Sequence, residues 1–141
     1  MIRMRLIGAN RVQVDLKEIG DSILTRRIMG QIGAAAIEEI NKRTGKGVDA
    51  DNRRFEPYTP KYKKYKIKRG GRFFTNKVNL SDTGAMLSAM QWKATDKKAT
   101  IFFNKPKEAL KASGNDRKRH FFAVNQKDMT IFSRIIERHI K

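Results

Sequence analysis

Leu24, Ile28, Ile32, Ala36 and Ile40 recur every four residues, with Met29 beside them, and no other feature of the sequence constrains its fold as strongly. That spacing lays one apolar stripe along a helix and leaves the opposite side polar. Asp15 with Glu18 three residues later fits a capping box, and Asp21 or Ser22 after Gly20 offers a second start. Glu38 and Lys42 stand at the favourable four-residue separation on the outer side, and Gly45 and Gly47 predict an end near Arg43. Ala34, Ala35 and Ala36, between Gly33 and Ile37, leave room for a neighbouring element of the same domain to approach closely.

A one-sided helix has to bury its stripe against something, and the flanking segments predict what. Ile2, Met4 and Leu6 alternate with Arg3 and Arg5, Gly8-Ala9-Asn10 turns the chain, and Val12 and Val14 resume the alternation. This reads as a hairpin. A second hairpin is predicted where Met90, Trp92 and Ala94 alternate, residues 95–98 turn, and Ala99, Ile101 and Phe103 alternate again. Between Leu80 and that hairpin, Met86 and Leu87 suit one helical turn. A last helix opens at Asn125 with Asp128 and presents Met129, Phe132, Ile135, Ile136 and Ile140 on one face. The resulting order predicts an α+β fold: the long helix and the C-terminal helix pack on a small antiparallel sheet. At 141 residues the chain fits a single domain, 1–141, with no internal repeat.

Residues 45–80 lose all periodicity. Pro57, Pro60 and Gly70-Gly71 punctuate them, lysines dominate 61–68, and Tyr58, Tyr62, Tyr65, Phe73 and Phe74 are interleaved. So long a connection reads as an extended basic arm that is functional, flexible or both. Residues 105–119 read as a second basic loop.

Charge sets the expected partners. The chain carries +18, and residues 53–80 alone hold ten bases against one acid, half of the excess. Such a field favours a polyanion: nucleic acid, an anionic membrane or an acidic protein face. No apolar run approaches the ~20 residues of a membrane helix, so a soluble chain made in a cytoplasm and without membrane contact is expected. Cysteine is absent, which excludes disulfides, thiol nucleophiles and thiolate metal sites. Asp49-Ala50-Asp51 begins like a calcium loop, but Arg53, Arg54 and Pro60 stand where that loop needs an oxygen ligand, glycine and glutamate. Gly45-Lys46 lacks the earlier glycine and the following hydroxyl of a phosphate loop. His120 and His139 have no carboxylate at ligand spacing, and no nucleophile elbow or acid–base pair stands out. Neither enzymatic activity nor a cofactor or metal is expected.

The remaining motifs are architectural. Asp49 and Asp51 suit bonds to the backbone of their own turn, Pro57 and Pro60 stiffen its exit, and Phe55 and Tyr58 suit pinning it to the domain. Thr83-Gly84 allows a sharp turn into the second hairpin. Lys61, Lys63, Lys64, Lys66, Lys68, Arg69 and Arg72 are the candidate contacts for a polyanion or a second subunit.

These motifs also carry a resemblance. From residue 45 the run Gly47 to Pro60, with Tyr62 and Lys66, then Leu80, Thr83-Gly84, Leu87 and Ser88, then Arg119, Phe121 and the Asn125–Asp128 cap, resembles the phage virion morphogenesis family. These are the tail-completion, neck or head–tail joining proteins of tailed bacteriophages. The blocks follow the family's order over some two thirds of the chain, with Asn52 where the family usually has glycine. The resemblance implies a structural virion protein, assembled in the host cytoplasm into a homo-oligomeric ring at the head–tail interface. Neighbouring virion proteins would be its partners: a tail terminator or tube, and a head–tail connector or portal adaptor. It also implies non-specific contact with DNA in the channel. The alternative from the residues alone is a sequence-independent nucleic-acid-binding module that uses the basic segment.

Overall fold

The apolar stripe of the long helix lies on a four-stranded antiparallel sheet. The computed structural model describes residues 2–6, 11–16, 22–69, 80 and 85–140. In chain order these form β1 (Ile2–Leu6), β2 (Arg11–Leu16), α1 (Ser22–Gly45), α2 (Pro60–Arg69), α3 (Ala85–Ser88), β3 (Met90–Ala94), β4 (Lys98–Phe103), α4 (Pro106–Lys118) and α5 (Gln126–Ile140). The expected α+β class holds. Each hairpin forms, and the two join through β2 and β4, giving the strand order β1-β2-β4-β3. The register sets Leu6, Val12, Ile101 and Trp92 in one row across the sheet.

α1 packs on β3, β4 and α5. Ile28, Met29, Ile32, Ala36 and Ile40 are buried against Met90, Ala99, Ile101 and Phe103 of the sheet and Phe132 and Ile135 of α5. The same cluster runs without a break into Phe55, Leu80, Met86, Ala109, Ala112, Phe121 and Phe122. Phe122 links the two regions, with ring centroids 5.0 Å from Phe103 and 6.1 Å from Phe121. Phe55 therefore belongs to the main core and does more than pin a loop.

Two expected loops are helices. Residues 45–80 were expected to form one extended arm, yet they contain a tight turn followed by α2. Thr59 accepts the Tyr62 N–H at 3.3 Å as N-cap, and Pro60 occupies the first helical position, where its missing N–H costs nothing. From Lys61 to Arg69 no residue breaks a helix, and straight-chain lysines favour one. Residues 105–119 likewise hold α4, begun by Pro106 and anchored by buried Ala109 and Ala112 three residues apart. Thr83 and Gly84, with their expected sharp turn, lie outside the described residues, as do Arg72, Gly8-Ala9-Asn10, Glu18 and Asp21.

One polar lock fixes the ends of the helices. Arg43, in the last turn of α1, donates from Nη1 to Asp128 Oδ2 at 2.5 Å and from Nη2 to the Ala123 carbonyl at 2.6 Å. Asp128 is 1% exposed. It also completes the expected Asn125–Asp128 cap, which forms a reciprocal capping box: the Asn125 N–H donates to Asp128 Oδ2, and the Asp128 N–H donates to Asn125 Oδ1. Removing the carboxylate would leave the Arg43 guanidinium without its counter-ion in the interior. Asp128→Ala is expected to lower stability by about 3–5 kcal/mol in urea denaturation. A loss within the range of an exposed ion pair would show that the lock is incidental.

Candidate polyanion and subunit interface

α1 stops because Gly47 adopts φ 77° and folds the chain back, with its N–H donating to the Thr44 carbonyl. The turn that follows closes on itself. Asp49 Oδ1 accepts the N–H groups of Asp51 at 2.8 Å and Arg53 at 2.9 Å, the bonding expected of an aspartate-led turn. Asp51 contributes its N–H while its side chain is exposed. Asn52 sits at φ 63°, in the left-handed region that asparagine tolerates best after glycine, which accounts for its use where the resemblance leads one to expect glycine. The loop is then stitched to residues 120–125. Ala50 donates its N–H to the His120 carbonyl, and its own carbonyl accepts from Asn125 Nδ2 at 3.1 Å.

Beyond the turn the chain is held by Arg119. This buried guanidinium donates from Nε to the Glu56 carbonyl at 2.7 Å and from Nη2 to the Pro57 carbonyl at 3.2 Å. It also lies 5.0 Å from the Tyr58 ring centroid, while Lys66 Nζ lies 4.9 Å from that centroid. Tyr62 meets Tyr58 edge-on at 4.7 Å. The Tyr58 hydroxyl accepts the N–H of Leu80, whose φ of 56° is strained for a leucine. Residues from three separated stretches, 49–66, 80 and 119–121, thus meet at one node.

The node forms one wall of a cleft of about 450 Å³, lined also by Thr59, Met86, Lys111, Asn115 and Lys118. α2 rises from it carrying the lysine run. A helix advances about 100° per residue, so Lys61, Lys64 and Lys68 fall within a sector of roughly 60°, all exposed, with half-exposed Tyr65 beside them. Lys63 lies off that sector, also exposed. Lys66 points inward and is 5% exposed, so it serves the body of the protein and is not a free contact for a polyanion. Arg69 ends α2.

Of the residues expected to carry structure, Asp49, Phe55, Pro57, Tyr58, Arg119 and Phe121 belong to the turn, the node or the core beneath them, and Pro60 opens α2. Lys66, expected among the polyanion contacts, is buried, and Lys111, not among the expected residues, lines the cleft; both positions follow from their segments being helical. Among the described residues no cluster of three metal-ligating side chains occurs. No protein-family model, no curated protein and no solved structure matches this chain.

Two outcomes test the node. Arg119→Lys retains the charge but loses the planar fork that reaches two carbonyls and faces Tyr58, so a loss of about 2 kcal/mol is expected in chemical denaturation. The second concerns Asp116 at the end of α4, which accepts the Phe122 N–H at 3.0 Å and lies 3.3 Å from His120 Nδ1. Burial raises its carboxyl above the ordinary 3.8, against the opposing pull of the Phe122 N–H and His120. The folded chain therefore holds that proton more tightly than the unfolded chain. Its stabilising contribution is full below the unfolded value and is lost as pH rises through the raised folded value. Asp116→Asn keeps an acceptor for Phe122 and cannot ionise. Denaturation of both proteins from pH 3 to 7 is expected to show the variant gaining on the parent as pH rises; a pH-independent difference would contradict this.

Proposed function

We propose that this protein is a structural component of a tailed-phage virion, a tail-completion or neck protein that forms a ring where head and tail join. One observation carries the reading. The residues that resemble the virion morphogenesis family come from separated blocks, and Asp49, Phe55, Pro57, Tyr58, Arg119, Phe121 and the Asn125–Asp128 cap gather at one turn and node. Residues that serve architecture converge in this way, and these bond backbone and rings without forming a reaction centre. A ring of subunits each near +18 repels itself unless a polyanion lies close, and DNA in the channel or an acidic neighbouring ring supplies one.

A second reading, a sequence-independent nucleic-acid module, is favoured by the lysines of α2. Lys61, Lys64 and Lys68 form a single stripe on a helix that Arg119 and Lys66 hold down, and a stripe of this kind tracks phosphates without reading bases.

Both readings meet in one variant. Lys61→Gln, Lys64→Gln and Lys68→Gln together are expected to weaken duplex DNA binding and to flatten its log–log salt dependence by about 0.9 per lysine that faces a phosphate. Lys66→Gln is expected to lower stability instead. In particles assembled with the triple variant, the virion reading expects fewer joined heads and tails, scored by negative-stain microscopy. Normal joining with DNA binding lost would favour the nucleic-acid module and remove the stripe from the virion reading, and unchanged DNA binding would remove it from the nucleic-acid reading.

A further inference from the structure

The β3 edge of the sheet carries a second surface, centred on Trp92. β3 is an outer strand of the sheet and pairs, among the described residues, only with β4. The Asn104 N–H donates to the Ala89 carbonyl and the Thr95 N–H to the Lys98 carbonyl. In an antiparallel pair the residues that bond across alternate with residues that do not. Ala89, Gln91, Lys93 and Thr95 thus face β4, while Met90, Trp92 and Ala94 turn their N–H and carbonyl groups to the open side.

The indole of Trp92 lies over α1 at a place made for it. A Cβ on Gly33 would come within 2.9 Å of Trp92 Cβ, and one on Gly30 within 3.1 Å of Trp92 Cη2. A side chain at Gly33 would force Trp92 to shift, and one at Gly30 would crowd it, so the two glycines make the approach possible. It nonetheless remains 44% exposed, a large apolar group at an open strand edge. Native sheets guard such an edge against a like-charged copy with charged side chains, lysine above all. The charged side chains that line the hollow beside the indole are Arg26, Arg27 and Lys93, all positive, and Lys93 Nζ lies 5.6 Å from the Phe102 ring. Among the described residues none of the three has an ion-pair partner.

We infer that β3 is a docking edge for an extended acidic segment of another protein. The segment adds as a strand to the open groups of Met90, Trp92 and Ala94, seats an apolar side chain on the Trp92 indole, and sets carboxylates against Arg26, Arg27 and Lys93. A second copy of this chain fits poorly, because it would bring +18 against the same three cations. The inference stands on β3 and α1 and does not depend on the virion reading.

Trp92 is the chain's one tryptophan, so its emission reports directly on this edge. The probe is the capped peptide Glu-Glu-Val-Glu-Val-Glu-Val-Glu-Glu, which puts valines on one face and glutamates on the other and at both ends. Its addition is expected to shift Trp92 emission to the blue and to protect it from acrylamide quenching. The same peptide N-methylated at its valines keeps every charge but cannot bond the edge, and no shift is expected from it. Arg26→Glu with Arg27→Glu is expected to weaken binding by about tenfold or more. Ala94→Pro removes one outward N–H that β4 does not use and is expected to abolish the shift in a protein with unchanged circular dichroism. If Ala94→Pro fails to fold, the N-methylated peptide decides the point from the ligand side. Equal binding of both peptides, or binding with no change at Trp92, would overturn the inference. So would an emission shift that grows with protein concentration in the absence of peptide, which would make the occupant a second copy.

Discussion

A buried ion pair between Arg43 and Asp128 ties the ends of two helices to the turn that leads into the basic helix. It joins the last turn of α1 to the first turn of α5 through two residues 85 apart in sequence. A buried pair seldom adds much stability compared with apolar packing, but it tolerates only one arrangement, since either charge left alone in the interior is costly. Its partners extend that arrangement. Arg43 also holds the Ala123 carbonyl, Asp128 caps α5 through Asn125, and Asn125 reaches the Ala50 carbonyl in the turn after α1.

From that fixed turn the remaining geometry follows in sequence order. Phe55 enters the core, the Glu56 and Pro57 carbonyls fall to Arg119, and the Tyr58 ring meets both Arg119 and Lys66. α2 therefore leaves the body in a set direction with its remaining lysines outward. The Trp92 edge is built by different means, an indole seated on two α1 glycines, and it presents backbone groups where α2 presents point charges. One positive chain thus offers two unlike surfaces, a lysine stripe suited to phosphates and a strand edge suited to an acidic polypeptide.

Much of the framework was legible in the residues, because apolar periodicity is written locally. The four-residue recurrence from Ile28 to Ile40, both hairpins and the reciprocal Asn125–Asp128 cap follow from spacing alone. α2 and α4 were not legible in the same way. Their apolar contacts are few, and lysine-rich runs look alike whether helical or solvated; the clues were Thr59-Pro60 and Pro106, which also suit loops. At the candidate site the turn residues Asp49 and Asn52 and the anchors Phe55, Tyr58 and Arg119 could be named, but not their meeting. The clasp of Arg119 on two carbonyls 62 and 63 residues away is a tertiary fact, and so is the burial of Lys66. The exposure of Trp92 was hidden for a related reason: strand alternation places it on the core face, and only the strand order puts it at the edge.

The central claim is that the turn after α1 and the segment it binds form one rigid mount for the basic helix. Native-state amide hydrogen exchange tests it residue by residue. The N–H groups of Asp51, Arg53 and Phe55 on one side, and of Phe122 and Asp128 on the other, all have acceptors in the fold. They are expected to exchange together, with protection matching that of the central amides of α1. Exchange of the 51–55 amides at rates near those of an unfolded chain, while α1 stays protected, would describe a loose arm and contradict the account.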